Sequence, residues 1–274
     1  MRCRVVLFLA LSFLLICLFS CGYSNNQYTT SLIFEESQGG YIVTGISSDD
    51  SEIIIPKTYR GKSVQIGAAA FKNCKQLESV EINCFIIGKN AFENCINIKS
   101  ITIGKDVLFI GESAFANTEK LTQITYFAEN IEDIHGGTFE NAGINGDGIK
   151  LTIGNNVKSF PGWFFSNCGN LYLKNVIFED NSKCSYIGPY AFYSCENLTS
   201  IVIPKNVTYI GVHCFSRCEK LKTVSFENRE ADWKIHKYQN TEEYMYIINS
   251  DTIKNETEIA KKLVSEYNSY DWRQ

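Results

Sequence analysis

The sequence predicts a β-rich repeat solenoid of about seven coils, with a strand cap before it and a helical cap after it. Three observations carry this. Phenylalanines recur at Phe71, Phe92, Phe115, Phe139, Phe165, Phe192 and Phe215, separated by 21, 23, 24, 26, 27 and 23 residues. Three residues after each comes a small one: Cys74, Cys95, Thr118, Ala142, Cys168, Cys195 and Cys218. A second pattern follows several of these corners, as in Leu77-x-x-Val80-x-Ile82, Ile98-x-x-Ile101-x-Ile103 and Leu198-x-x-Ile201-x-Ile203, and its last three positions alternate as a short strand does. A unit of roughly 23 residues cannot bury its own apolar edge, whereas stacked units share one continuous core.

The first residues, MRCRVVLFLALSFLLICLFSCG, place Arg2 and Arg4 before an apolar run from Val5 to Phe19, the layout of a secretory signal peptide over residues 1–20. The run nearly reaches bilayer-spanning length, so a retained anchor is the alternative. It ends in Leu18-Phe19-Ser20-Cys21-Gly22, which resembles a bacterial lipobox with Phe19 in place of the usual small residue. That resemblance implies cleavage before Cys21, a lipidated Cys21 at the membrane surface and a polar tether over 21–31; plain secretion is the other outcome. Two acyl chains anchor stably where one is marginal. Loss of Arg2 and Arg4 takes 26 basic residues to 24 against 30 acidic ones, a formal charge of −6. Nucleic acid is excluded as a partner, because its recognition rests on a basic footprint.

Residues 32–55 read as the N-terminal cap, in which "SLIFEE", "GYIVTG" and "SEIIIP" are short strands separated by turns. The array follows over 56–226. Within each corner, phenylalanine fills the interior and alanine lets the backbone approach. The asparagines Asn73, Asn94, Asn117, Asn141 and Asn167 are expected to satisfy buried backbone groups that lack sheet partners. A valine then leads to Ile-Gly, as in Val107-x-x-Ile110-Gly111 and Val207-x-x-Ile210-Gly211, where glycine admits a sharp bend. Residues 227–274 read as a C-terminal cap, with Ile259, Leu263, Tyr267 and Tyr270 on one face of a helix that begins near Asn255 or Thr257.

The stretch NLTSIVIPKNVTYIGVHCFSRCEKL resembles the BspA-like class of leucine-rich repeat, and the resemblance covers about residues 52–226. Thr138 and Phe164 depart from it by replacing the small residue before phenylalanine, and Phe127 to Gly148 runs long. The resemblance implies a non-catalytic leucine-rich-repeat solenoid that attaches to proteins of a host or neighbouring cell, extracellular matrix included. The alternative is a structural, periplasm-facing envelope lipoprotein with no host ligand.

The residues offer little chemistry. Cys74, Cys95, Cys168, Cys195 and Cys218 share one repeat position and read as a column of buried thiols, with disulfides between neighbouring coils as the alternative. Cys84, Cys184 and Cys214 lie off that column. His213, Cys214 and Cys218 form a weak metal pattern, since Cys214 already fills the repeat's small position. His135 and His236 have no motif around them, and no nucleophile has a convincing base. No catalytic residue, metal or cofactor is expected. Asn-x-Thr triplets at Asn197, Asn206 and Asn255 belong to the repeat or its cap.

Strand alternation points Glu81, Thr102, Thr125, Thr152, Ile177, Val202 and Ser225 away from the core, in a row that turns from polar to apolar. Ile177 and Val202 form an apolar spot with Lys174 and Lys222 supplying charge beside it. Such a spot, rimmed by polar groups, is the expected protein-binding surface. Its alternative is coverage by the tail or a loop.

Overall fold

Each coil is built from one long strand, one short strand and one phenylalanine corner. The computed structural model describes residues 28–274 except 132, 135, 166–167, 169–170 and 238–243. The expected signal peptide, Cys21, His135 and Asn167 lie outside the described residues.

The long strands are Glu52–Ile55, Ser79–Ile82, Ser100–Ile103, Gln123–Tyr126, Ile149–Ile153 and Leu173–Phe178, joined in one parallel ladder, followed by Ser200–Ile203 paired with Thr223–Phe226. On a second face, Lys62–Ile66, Ile86–Ile87, Phe109–Ile110 and Asp133–Ile134 form one ladder, and Ser159–Phe160, Tyr186–Ile187 and Tyr209–Ile210 form another. Inward residues of both faces meet the corner phenylalanines in one core. Phe71, Phe92, Phe115 and Phe139 stack with centroids 4.9, 5.4 and 5.2 Å apart. Phe164, an extra ring where other corners have a small residue, tilts the next contacts before Phe192 and Phe215 stack again at 5.4 Å.

The corners have their own ladder. Phe71 N donates to Ala91 O, Phe92 N to Ala114 O, Phe115 N to Thr138 O and Phe192 N to Cys214 O, so these backbone groups do have partners in the next coil. The asparagines therefore act differently from the expectation. Asn73, Asn94, Asn117 and Asn141 take φ of 66°, 62°, 59° and 54°, a left-handed conformation that asparagine tolerates better than most residues. Their amides bond to one another: Asn94 donates to Asn73, Asn117 to Asn94 and Asn141 to Asn117, at 2.8–3.0 Å. Glycine after the short strand permits coil contact, since a Cβ at Gly111 would lie 2.5 Å from Lys89 N.

Two prolines interrupt the ladders. After most short strands the next residue's N–H donates to the preceding coil, as Gly88 does to Ile66 O and Gly188 to Phe160 O. The equivalent residue of the fifth coil is Pro161, which has no N–H, and the short-strand ladder stops between Asp133–Ile134 and Ser159–Phe160. On the long-strand face, Glu179 N donates to Ile153 O and Glu227 N to Ile203 O. Pro204 occupies that position between them, and the ladder stops between Leu173–Phe178 and Ser200–Ile203.

The caps differ from their expected form. Leu32–Ser37 and Gly40–Ile46 make an antiparallel hairpin added to the short-strand face, but Glu52–Ile55 is already the first long strand of the array. At the other end, Asn255 caps helix Glu256–Lys261 by accepting from Glu258 N, and Ile259 and Leu263 are buried. The helical face breaks off in a π turn over Lys262–Glu266, so Tyr270 lies instead in strand Tyr270–Arg273. That strand pairs antiparallel with Tyr209–Ile210 and with Trp233–Lys237, which pairs in turn with Tyr244–Ile248. The C-terminal cap is thus two short helices, Ser250–Ile253 and Glu256–Lys261, plus a small antiparallel sheet.

Candidate protein-binding surface

Parallel register aligns the outward residues of successive long strands. Glu81 pairs with Thr102, Thr102 with Thr125, Thr125 with Thr152 and Thr152 with Ile177, while Val202 pairs with Ser225. Ile177 is 42% and Val202 51% exposed, so among the described residues neither the tail nor a loop covers them. They stand on opposite sides of the gap that Pro204 leaves in the ladder. A shallow groove of about 250 Å³ opens there, lined by Ile177, Phe178, Val202 and Pro204 together with Glu179, Asp180 and Glu227.

The charge at this spot is acidic. Lys174 is the extra residue of a β-bulge opposite Ile149 and Lys150, three residues and so about 10 Å from Ile177 along the strand. Lys222 is exposed just before Thr223–Phe226. Both lysines lie toward the strand starts, whereas the carboxylates lie where the strands end. Glu179 accepts from Asn155 N and Glu227 from Lys205 N, each at 3.0 Å, which fixes two of those carboxylates beside the apolar pair. A larger groove of about 630 Å³, lined by Glu81, Thr102, Lys57 and Phe127 among others, follows the polar half of the row.

All eight cysteines among the described residues are free thiols. Cys95 Sγ donates to Phe71 O at 3.0 Å and Cys218 Sγ to Phe192 O at 3.1 Å, and Thr118 Oγ1 donates to Phe115 O at 2.9 Å. The small position thus favours a compact donor that meets a corner carbonyl. Cys84 and Cys184, off the cysteine column, have a repeat position of their own: counted back from Gly88 and Gly188, they take the place that Val107 and Val207 hold in their coils. Burial pushes the thiols of Cys84, Cys95, Cys168 and Cys218 up to about 12 and that of Cys184 to about 11. Among the described residues no group of three or more His, Cys, Asp or Glu side chains is placed to hold a metal ion, and no helix is long and apolar enough to cross a membrane.

Parallel ladders on two faces, joined by aligned phenylalanine corners, define a leucine-rich-repeat solenoid. Residues 50–172 and 147–245 match the BspA type leucine rich repeat region, in six copies, and the chain belongs to this family. No curated protein matches it. Among solved structures it is similar to a leucine rich cell surface protein from Faecalibacterium prausnitzii, with 26% identity over 81% of this chain and a TM-score of 0.47, and it spans 58% of that protein. It is also similar to the leucine rich repeat protein of T. pallidum (20% identity, 72% of this chain, 91% of that one, TM-score 0.40). A third likeness is to the pneumococcal vaccine antigen PcpA (15% identity, 76% of this chain, 52% of that one, TM-score 0.38).

Proposed function

We propose that this chain is an exported lipoprotein, held at the cell surface by lipid on Cys21, whose array binds a protein partner without catalysis. The observation that carries the binding role is the exposed Ile177–Val202 pair at the Pro204 gap. Two aliphatic side chains held outward on neighbouring strands offer an apolar anchor for a partner. Glu179, Asp180 and Glu227 select a partner segment with an apolar side chain flanked by basic ones. The polar row from Glu81 to Thr152, with Ser225 at its far end, supplies the rim.

The test is binding of the full chain to immobilised fibronectin, laminin and collagen, with the double variant Ile177→Asp, Val202→Asp beside it. The variant keeps the fold, because both side chains are outside the core, and loses binding. A folded variant that binds as well as the parent sinks the assignment of this surface. Absence of binding to all three matrix proteins, with the chain resistant to protease on intact cells, favours the structural envelope role instead.

A further inference from the structure

The array opens on a second face, at the fifth coil. Pro161 removes the rung to Asp133–Ile134, and the neighbouring corner contact also changes, since Phe139 N donates to Cys168 Sγ where other coils offer a carbonyl. The long strands of the same two coils stay paired from Gln123 to Tyr126. The result is a groove of about 560 Å³, within the size range of small-ligand sites.

Its wall carries Trp163, which is 46% exposed at φ 61°. The column two residues before each phenylalanine runs Ala69, Asn90, Ser113, Gly137, Trp163, Tyr190 and His213. Trp163 is therefore the first ring of a stack, lying 3.9 Å from Tyr190 at an interplanar angle of 13°, with His213 behind it at 4.9 Å. One indole face is covered by Tyr190. The other looks back along the array toward a position held by Gly137, which has no side chain. Tyr186, itself stacked on Tyr209 at 4.5 Å, lines the same groove, as do Glu129, Asn130 and Ser159.

We propose that this groove binds a neutral saccharide chain. The negative face of Trp163 attracts the weakly positive C–H face of a pyranose ring, and Tyr186 lines the groove beside it. The Glu129 carboxylate, Asn130 amide and Ser159 hydroxyl supply acceptors and donors for the hydroxyls at the ring's edge. The Glu129 charge and the acidic chain oppose sulfated or uronic sugars and phosphate-bearing ligands. The site is independent of the Ile177–Val202 surface.

Trp163 reports on its own occupancy, because the other two tryptophans, Trp233 and Trp272, are buried. The full chain in detergent is titrated with maltohexaose, cellohexaose and chitohexaose, with hexagalacturonate as the acidic control. At least one neutral hexasaccharide is expected to shift tryptophan emission and to shield one tryptophan from N-bromosuccinimide. Trp163→Ala lowers its affinity at least tenfold with the unfolding midpoint kept, and Glu129→Gln lowers it up to about tenfold. The Ile177→Asp, Val202→Asp variant binds it unchanged, which separates this site from the protein-binding surface. No response to any of the three neutral sugars, tightest binding by hexagalacturonate, or unchanged affinity in Trp163→Ala each overturns the proposal.

Discussion

The Tyr209 hydroxyl donates to the Asp271 carboxylate at 2.7 Å, across 62 residues of sequence. The same oxygen accepts from Val212 N at 3.0 Å, and Arg273 reaches the other oxygen at 3.1 Å. Asp271 is buried, so these bonds are what makes its charge tolerable there. They fasten the C-terminal strand to the last full corner.

Replacing Asp271 with Ala is therefore expected to cost about 3 kcal/mol, because it leaves the Val212 amide and the Tyr209 hydroxyl without their acceptor. Asp271→Asn, which keeps one acceptor oxygen, costs less. Denaturant unfolding gives the order. Hydrogen exchange locates the loss in Tyr270–Arg273 and in helix Glu256–Lys261, which packs on strand Thr223–Phe226, and a uniform loss across all coils refutes the assignment.

The buried thiols predict an alkaline limit. Their folded-state values are raised above the ordinary 9.0, so the unfolded chain binds fewer protons once pH passes 9. Their contribution is complete below pH 9 and falls as pH rises toward about 12, by about 1.4 kcal/mol per pH unit for each thiol fully ionised only when unfolded. Cys95→Ala costs about 1 kcal/mol at neutral pH through its cavity and lost donor, and it flattens the alkaline slope by one thiol. Native alkylation at pH 8 is slow at every described cysteine except the half-buried Cys74. Rapid labelling of Cys195 or Cys218 contradicts this.

The asparagine ladder separates two effects. Asn94→Ala loses bonds to Asn73 and Asn117 and also places a Cβ residue without a compensating side chain at φ 62°. Asn94→Gly loses the same bonds but accepts that φ. The glycine variant should be more stable than the alanine variant by about 1 kcal/mol, measured by thermal unfolding. Equal stabilities show that the side-chain bonds alone matter.

Cys21→Ser is expected to release the protein from membranes, whereas unchanged partitioning with an uncut signal defeats the lipid anchor. Detergent partitioning and N-terminal mass are the measurements.

The periodic parts of this fold were legible in the sequence because each copy repeats the same demand for packing. Phe71 to Phe215 and the strand alternation from Val80 to Phe226 carry that demand seven times. Exceptions within a column were harder to see. Cys84 and Cys184 stand off the cysteine column, and that both take a valine's place shows only when their coils are aligned on the glycine that follows. Pro161 and Pro204 matter through the N–H groups they lack, a loss visible only once each is aligned with its counterparts. Tyr270–Arg273 hides an inward Asp271, a buried charge that apolar periodicity cannot signal. The acidic rim near Ile177 depends on where turns bring Glu179 and Glu227, and strand parity places only the residues within strands.

The two proline gaps lie on opposite faces. At the first, beside Pro161, the long strands remain joined; at the second, beside Pro204, Tyr186 still pairs with Tyr209 and Ile187 with Ile210. Each junction is thus hinged along one edge and open along the other, and the hinged edges alternate. Each of these junctions has fewer rungs than those within the unbroken ladders, so they are expected to be the first to open when the array is loaded. For the surface-anchored array proposed above, this puts the compliance in two joints and not in the coils, as in a folding rule.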